Sequence, residues 1–142
     1  MRKLLMQACR ITRVYRAGEP GEVQALRGVN LRIYAGDFLA ILGAEGAGKT
    51  TLLRLLSLTD RPTAGDLYYE GRLVTGLSDD ELNAIHPALL LIDDPPAELL
   101  DQLRHDNDLG QTIVLATDDP EVAAHGRTLY RIENGLIYPI GG

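Results

Sequence analysis

The residues best suited to chemistry fall in two short stretches. Ile41–Leu53 reads "ILGAEGAGKTTLL" and contains Gly43-Ala44-Glu45-Gly46-Ala47-Gly48-Lys49-Thr50, which satisfies G-x-x-x-x-G-K-[ST]. Small residues let successive backbone N–H groups turn inward around phosphate oxygens. A helix starting at this point aims its N-terminal amides and dipole at the same anion. In this pattern Lys49 reaches the outer phosphates and the Thr50 hydroxyl ligates Mg²⁺, with Thr51 continuing the loop into the helix. Glu45 is the discordant residue, a carboxylate at the loop tip that weakens anion binding unless it points outward.

The second stretch is Ala88–Pro96, "ALLLIDDPP". An apolar run that ends in Asp93 and Asp94 presents carboxylates at a strand end. Beside a phosphate loop, Asp93 is a metal-site residue that holds Mg²⁺ through water. Asp94 is a candidate for polarising an attacking water, although adjacent acids after a strand are also ordinary turn chemistry. Tyr15 lies at the end of an early strand, where it either stacks on a base or packs locally. His86, His105 and His125 share no ligand-like spacing.

These residues need elements to position them. Residues 3–16 read as a strand and Ala17–Glu22 as a turn. Val29–Tyr34 alternates apolar and polar residues, the mark of a half-buried strand. "FLAILG" is a short apolar run bounded by glycine, expected to be buried on both faces. "KTTLLRLLSLTD" predicts a helix that stops before Pro62. "GDLYYEGR" reads as a short strand turning at Gly71, and Ser78 with Glu81 forms a capping box for a short helix. "ALLLID" and "QTIVLAT" are expected as further buried strands. "PAELLDQLRHDND" predicts an amphipathic helix with Leu99, Leu100 and Leu103 on one side. Asp119 and Pro120 open another short helix. "RTLYRIENGLIYP" reads as a hairpin turning at Asn134–Gly135.

Strand and helix alternate through the second half, so an α/β fold with a mainly parallel sheet flanked by helices is expected there. The domain expectation is one unit over 1–142, with residues 1–36 mostly an antiparallel β annex and residues 37–142 a P-loop core. The chain has 142 residues and a net charge of −6. That charge argues against a general nucleic-acid surface, which needs a basic face. The single cysteine, Cys9, excludes an internal disulfide and fits a reducing compartment. No apolar run is long enough to span a bilayer, and the opening "MRKLLMQACRITR" is broken by Gln7 and Arg10 where a leader would stay apolar. A cytoplasmic protein is expected, peripheral to the inner face of a membrane only through a partner.

The order of these pieces resembles the ATP-binding cassette (ABC) family. It is most similar to the cytosolic ATPases of lipoprotein-release and macrolide-efflux type transporters. The similarity covers residues 8–84, resumes in "PALLLIDDP", and continues through "GQTIVLATDDPEVAAHGRTLYRIENGLI". The resemblance implies ATP and Mg²⁺ as ligands. It implies that Tyr15 stacks on adenine, that Gly43–Thr51 cradles the phosphates, and that Asp93 is the magnesium aspartate. The implied partners are a membrane transporter subunit and a second ATPase subunit.

The departures carry mechanistic weight. The family places a glutamine loop, an α-helical subdomain and an L-S-G-G-Q-type signature between the two nucleotide motifs. Here Glu81–His86 runs almost directly into the second motif, no glutamine lies between Thr59 and Asp101, and no signature occurs. Asp94 stands at the catalytic glutamate position, one methylene shorter, and Asp118 at the switch histidine position. Positioning is most of phosphoryl-transfer catalysis, so weak or absent hydrolysis is expected. Three readings follow: a Mg–ATP-binding core with impaired hydrolysis, a transport ATPase subunit completed in trans by a partner, or a non-enzymatic scaffold that keeps the fold.

Overall fold

The computed structural model describes residues 2–140. Two sheets share one core. The first is antiparallel, in strand order β2-β1-β4-β5, with β1 at Leu4–Tyr15, β2 at Val23–Tyr34, β4 at Ala64–Tyr69 and β5 at Arg72–Leu73. The second contains β6 (Leu90–Asp93), β7 (Ile113–Thr117), β3 (Phe38–Leu42), β8 (Thr128–Glu133) and β9 (Leu136–Ile140), in that spatial order. Its first four strands run parallel and β9 closes an antiparallel edge. The helices are α1 (Lys49–Leu56), α2 (Asp79–Asn83), α3 (Leu100–Asp108) and α4 (Pro120–Ala123). None is long and apolar enough to cross a membrane.

The expected α/β fold with an antiparallel annex is the observed one. The annex draws two of its strands, β4 and β5, from beyond residue 36. In β3 and β7 successive side chains point to opposite faces, and both faces are covered. Leu39, Ile41, Val114 and Ala116 pack with α1 and the annex strands, against Leu52, Leu55, Leu26 and Ile33. Phe38, Ala40, Ile113 and Leu115 pack on the other side against Leu100 and Leu103 of α3 and Val122 of α4.

β6 departs from its expected burial. It is the outermost strand and, among the described residues, pairs with β7 alone. Leu90 is 36% exposed, and Asp93 is exposed as well. An edge strand has one flank without a neighbour, so its apolar residues cannot all be covered. Helix α1 stops before Pro62, as expected, and its last residue is Leu56. Thr59 N–H donates to Arg54 C=O and Leu58 N–H to Leu55 C=O, both at 3.1 Å, the paired bonds of a Schellman ending. Leu58 sits at the position usually held by glycine, with φ +64°. A left-handed leucine costs about 1–2 kcal/mol. Its side chain is only 5% exposed within the core, and that burial offsets the strain. The predicted helix over 96–108 splits into a 3-10 turn at Ala97–Leu99 and α3, whose buried stripe is Leu100, Leu103 and Asn107.

The capping box of α2 is present, with Glu81 N–H donating to Ser78 Oγ at 3.2 Å and Ser78 N–H donating to Glu81 Oε1 at 3.1 Å. Ser78→Ala removes one half of this exchange and is expected to lower stability by about 1 kcal/mol, read by urea unfolding.

Candidate functional site

The sheet fixes the site because loops at the carboxyl ends of adjacent parallel strands must lie side by side. β3 leads into Gly43–Thr51, β6 ends at Asp93 with Asp94 directly after it, and β7 is followed by Asp118. These three strands are neighbours. The loops surround a cleft of about 840 Å³, lined among others by Tyr15, Glu45, Gly46, Gly48, Lys49, Thr50, Thr51, Asp93, Asp94 and Asp118. Gly43, Ala44 and Ala47, also expected at the site, form the back of the loop. There Gly43 N–H bonds Thr117 C=O at 3.1 Å and Ala47 N–H bonds Ala44 C=O at 3.1 Å.

The loop has the backbone its glycines suggest. Gly48 takes φ +109° and serves as the N-cap of α1, with no side chain capping the first turn. The first amides of that helix are therefore left without a side-chain acceptor, an arrangement suited to an anion. Lys49 is 8% exposed. Its ammonium donates to the carbonyls of Gly43 and Ala44, the latter at 2.9 Å. Among the described residues it has no carboxylate partner. A buried cation held only by neutral carbonyls is an electrostatic demand for an anion.

Thr50 Oγ1 donates to Asp93 Oδ2 at 3.1 Å, so hydroxyl and carboxylate already face the same point. Both are hard oxygen donors beside the anion-seeking amides. That set fits Mg²⁺, which keeps several waters and shares its shell with phosphates. Among the described residues no group of three or more His, Cys, Asp or Glu could hold a metal ion by itself. Asp94 has φ +50°, and its N–H bonds Ala116 C=O at 2.7 Å, which fixes where its carboxylate begins. Glu45 is exposed and belongs to the lining. With Glu22, Asp93, Asp94 and Asp118 it makes five carboxylates against Arg27 and Lys49.

Tyr15 lies at the end of β1, where its hydroxyl shares a 3.2 Å hydrogen bond with Thr51 Oγ1. Behind it, Arg13 pairs with Asp60, Nε to Oδ2 at 3.0 Å. Burial works to raise the Asp60 pKa, but the Arg13 hydrogen bond and the Arg61 amide outweigh it and hold the carboxyl below its ordinary range. A depressed carboxylate stabilises the fold above its unfolded pKa. The contribution of this pair is complete at neutral pH and is lost as pH falls through the lowered value.

Several lining residues carry no signal in the local sequence. Gln24 and Arg27 come from β2, and Asn134–Gly135 is the turn between β8 and β9. Gly135 N–H bonds Ala47 C=O at 3.2 Å and Gly135 C=O accepts from Arg27 N–H at 2.9 Å, so the hairpin turn braces the loop from outside. The turn was legible; its target, far away in sequence, was not.

Comparison with known proteins agrees with this geometry. Residues 26–89 match the family described as ABC transporter. The lipoprotein-releasing system ATP-binding protein LolD of Bdellovibrio bacteriovorus is 51% identical over 78 residues, covering 55% of this chain and 35% of that protein. The pyoverdine export ATP-binding/permease protein PvdT of Pseudomonas fluorescens is 49% identical over 72 residues, covering 51% of this chain and 11% of that protein. The chain thus spans about a third of the one relative and about a tenth of the other. The dimeric structure of MJ0796, a bacterial ABC transporter cassette, superposes with a TM-score of 0.85 at 20% identity, over 97% of this chain and 100% of that one. At that identity the likeness speaks for the fold alone. Residues 26–89 are thus similar in sequence to the ABC transporter family, and almost the whole chain has the fold of an ABC cassette.

Proposed function

We propose that this domain binds Mg–ATP in the cleft and hydrolyses it slowly or not at all. The observation that carries the reading is Lys49, a buried ammonium that has no carboxylate partner among the described residues, at the mouth of a helix with no side-chain cap. In this reading the amides of Gly46–Thr51 and the Lys49 ammonium bind the phosphates, and Tyr15 receives the base. Thr50 and Asp93 would hold Mg²⁺, which when bound offsets phosphate charge in a cleft rich in carboxylates. Asp94 is the group available to orient a water, but it begins one methylene short of a glutamate. Asp118 adds negative charge beside the outer phosphates, where a neutral donor would stabilise them. Phosphoryl transfer depends on positioning and charge compensation, so both features oppose turnover.

A second reading, a transport ATPase subunit completed in trans, draws on the dimeric form in which the MJ0796 cassette was solved. In that reading a second ATPase subunit supplies the signature, and a membrane transporter subunit is the further partner.

The test is a thermal melt with and without Mg–ATP, paired with phosphate release. A ligand at a hundred times its Kd adds about 2.7 kcal/mol, a rise in Tm of roughly 5–10 °C for a domain of this size. The expected result is that shift with no release above background. Absence of any shift moves the protein to the scaffold reading. Release by the chain alone overturns the impaired-hydrolysis part. Release only with a partner subunit establishes completion in trans.

A further inference from the structure

Tyr15 is, among the described residues, the only aromatic side chain that lines the cleft. It does not stand alone. The guanidinium of Arg13 lies over its ring, 4.3 Å from the centroid. Residues two apart on a strand share a face, so Arg13 and Tyr15 project from the same side of β1. The pairing of β1 with β2 shifts register between Arg13 and Val14, with Ala25 of β2 as the extra residue, so β1 itself runs on without an inserted residue there. Asp60, just beyond α1, holds Arg13 in a fork, accepting from Nε at 3.0 Å and Nη2 at 3.3 Å. Arg13 Nη1 also donates to Val14 C=O at 3.1 Å. The Tyr15 hydroxyl reaches Asp60 Oδ2 at 3.4 Å as well as Thr51. Neither Arg13 nor Asp60 lines the cleft; Arg13 covers one face of the ring and Asp60 accepts from its hydroxyl.

We infer that Arg13 and Asp60 are positioning residues, which clamp Tyr15 as a one-sided stacking platform for the nucleobase and tie that platform to the phosphate loop through Thr51. The inference rests on the reading that the cleft takes a nucleotide. A half-buried tyrosine at a strand end is otherwise free to leave the cleft by rotating about its side-chain torsions, and stacking then has to order it first. Here one face is covered by a cation fixed in a bidentate fork, a geometry that guanidinium provides and ammonium does not. The hydroxyl is pinned at the same time. The remaining face is presented to the cleft already oriented. The hydroxyl bond to Thr51, adjacent to Thr50 and Lys49, sets the distance between base and phosphate subsites.

A purely structural role for the pair, tying β1 to the segment after α1, predicts something different. It would weaken every ligand together, or none. The discriminating experiment compares Mg–ATP with Mg–tripolyphosphate, which carries the phosphates and no base. Binding is measured by calorimetry on the full chain, for the wild type, Arg13→Ala, Arg13→Lys and Asp60→Asn. The expected result is a 5- to 10-fold loss of Mg–ATP affinity in Arg13→Ala, with Mg–tripolyphosphate affinity unchanged. Arg13→Lys restores only part of the loss, because it keeps the charge without the fork. Asp60→Asn shifts the same ratio in the same direction, and carries the comparison if Arg13→Ala does not fold. Equal weakening of both ligands, or no weakening of either, overturns the inference. If wild-type protein binds tripolyphosphate and ATP equally, the phosphate site stands and the base platform falls. If it binds neither, the nucleotide reading itself fails and takes this inference with it.

Discussion

Lys49→Ala abolishes nucleotide-induced stabilisation while leaving the protein folded. The two halves of this result have separate causes. In the unliganded protein the ammonium is buried and satisfied only by the carbonyls of Gly43 and Ala44. Removing it leaves those carbonyls short of a donor, at about 1–3 kcal/mol, but also removes the cost of burying a charge. The terms oppose each other, so unliganded stability changes little. Binding has no such offset. Lys49 and Arg27 are the cations in a lining that holds five carboxylates, and of the two only Lys49 belongs to the phosphate loop. Charge-assisted bonds to phosphate oxygens are strong, and their loss leaves the phosphates facing carboxylates. A drop in Mg–ATP affinity of about 100-fold or more is expected, about 2.8 kcal/mol, read by calorimetry. His86→Ala is the control, because His86 is exposed and does not line the cleft. Unchanged affinity in Lys49→Ala would remove the basis of the whole site.

Much of this site is legible because its parts are local. The loop pattern lies within one turn of chain, and its helix follows directly. The capping box at Ser78, the Asp119–Pro120 helix start and the Asn134–Gly135 turn are each fixed by residues within a few positions. β3 and β7 show as continuous apolar runs because both faces are covered. "ALLLID" reads the same way, yet β6 is half-open. An apolar run reports that a strand can be buried. It does not report strand order, and order is decided by where the other strands go. The same limit hides the cleft walls. Nothing near Arg27 or Asn134 in sequence refers to Ala47, which the Gly135 turn braces. Leu58 shows a third kind of limit. Propensity disfavours leucine at φ +64°, and only the surrounding core makes that conformation acceptable.

Two glycines of the phosphate loop separate conformational need from steric need. Gly46 has φ +83°, and a Cβ there would meet nothing within 4 Å. Gly48 has φ +109°, and a Cβ there would lie 2.7 Å from Ala25 C=O and 3.1 Å from a Leu26 methyl. Ala25 and Leu26 belong to β2; Ala25 falls at the register shift with β1, but both its neighbours are paired, Gln24 with Val14 and Leu26 with Arg13, so the carbonyl between them has little room to move. Gly46→Ala therefore meets backbone strain alone, about 1 kcal/mol. Gly48→Ala meets strain and a backbone clash together, about 2–4 kcal/mol. The second substitution also acts on function. Gly48 is the N-cap of α1, and any shift that relieves the clash moves the first turn, with Lys49 and Thr50 on it. Gly48→Ala is therefore expected to lower the urea midpoint several times more than Gly46→Ala and to weaken Mg–ATP by at least about tenfold, since misplacing a preorganised site is costly. Equal midpoints for the two variants would mean that β2 yields to the added methyl, and that the contact between annex and loop does not set the loop's geometry.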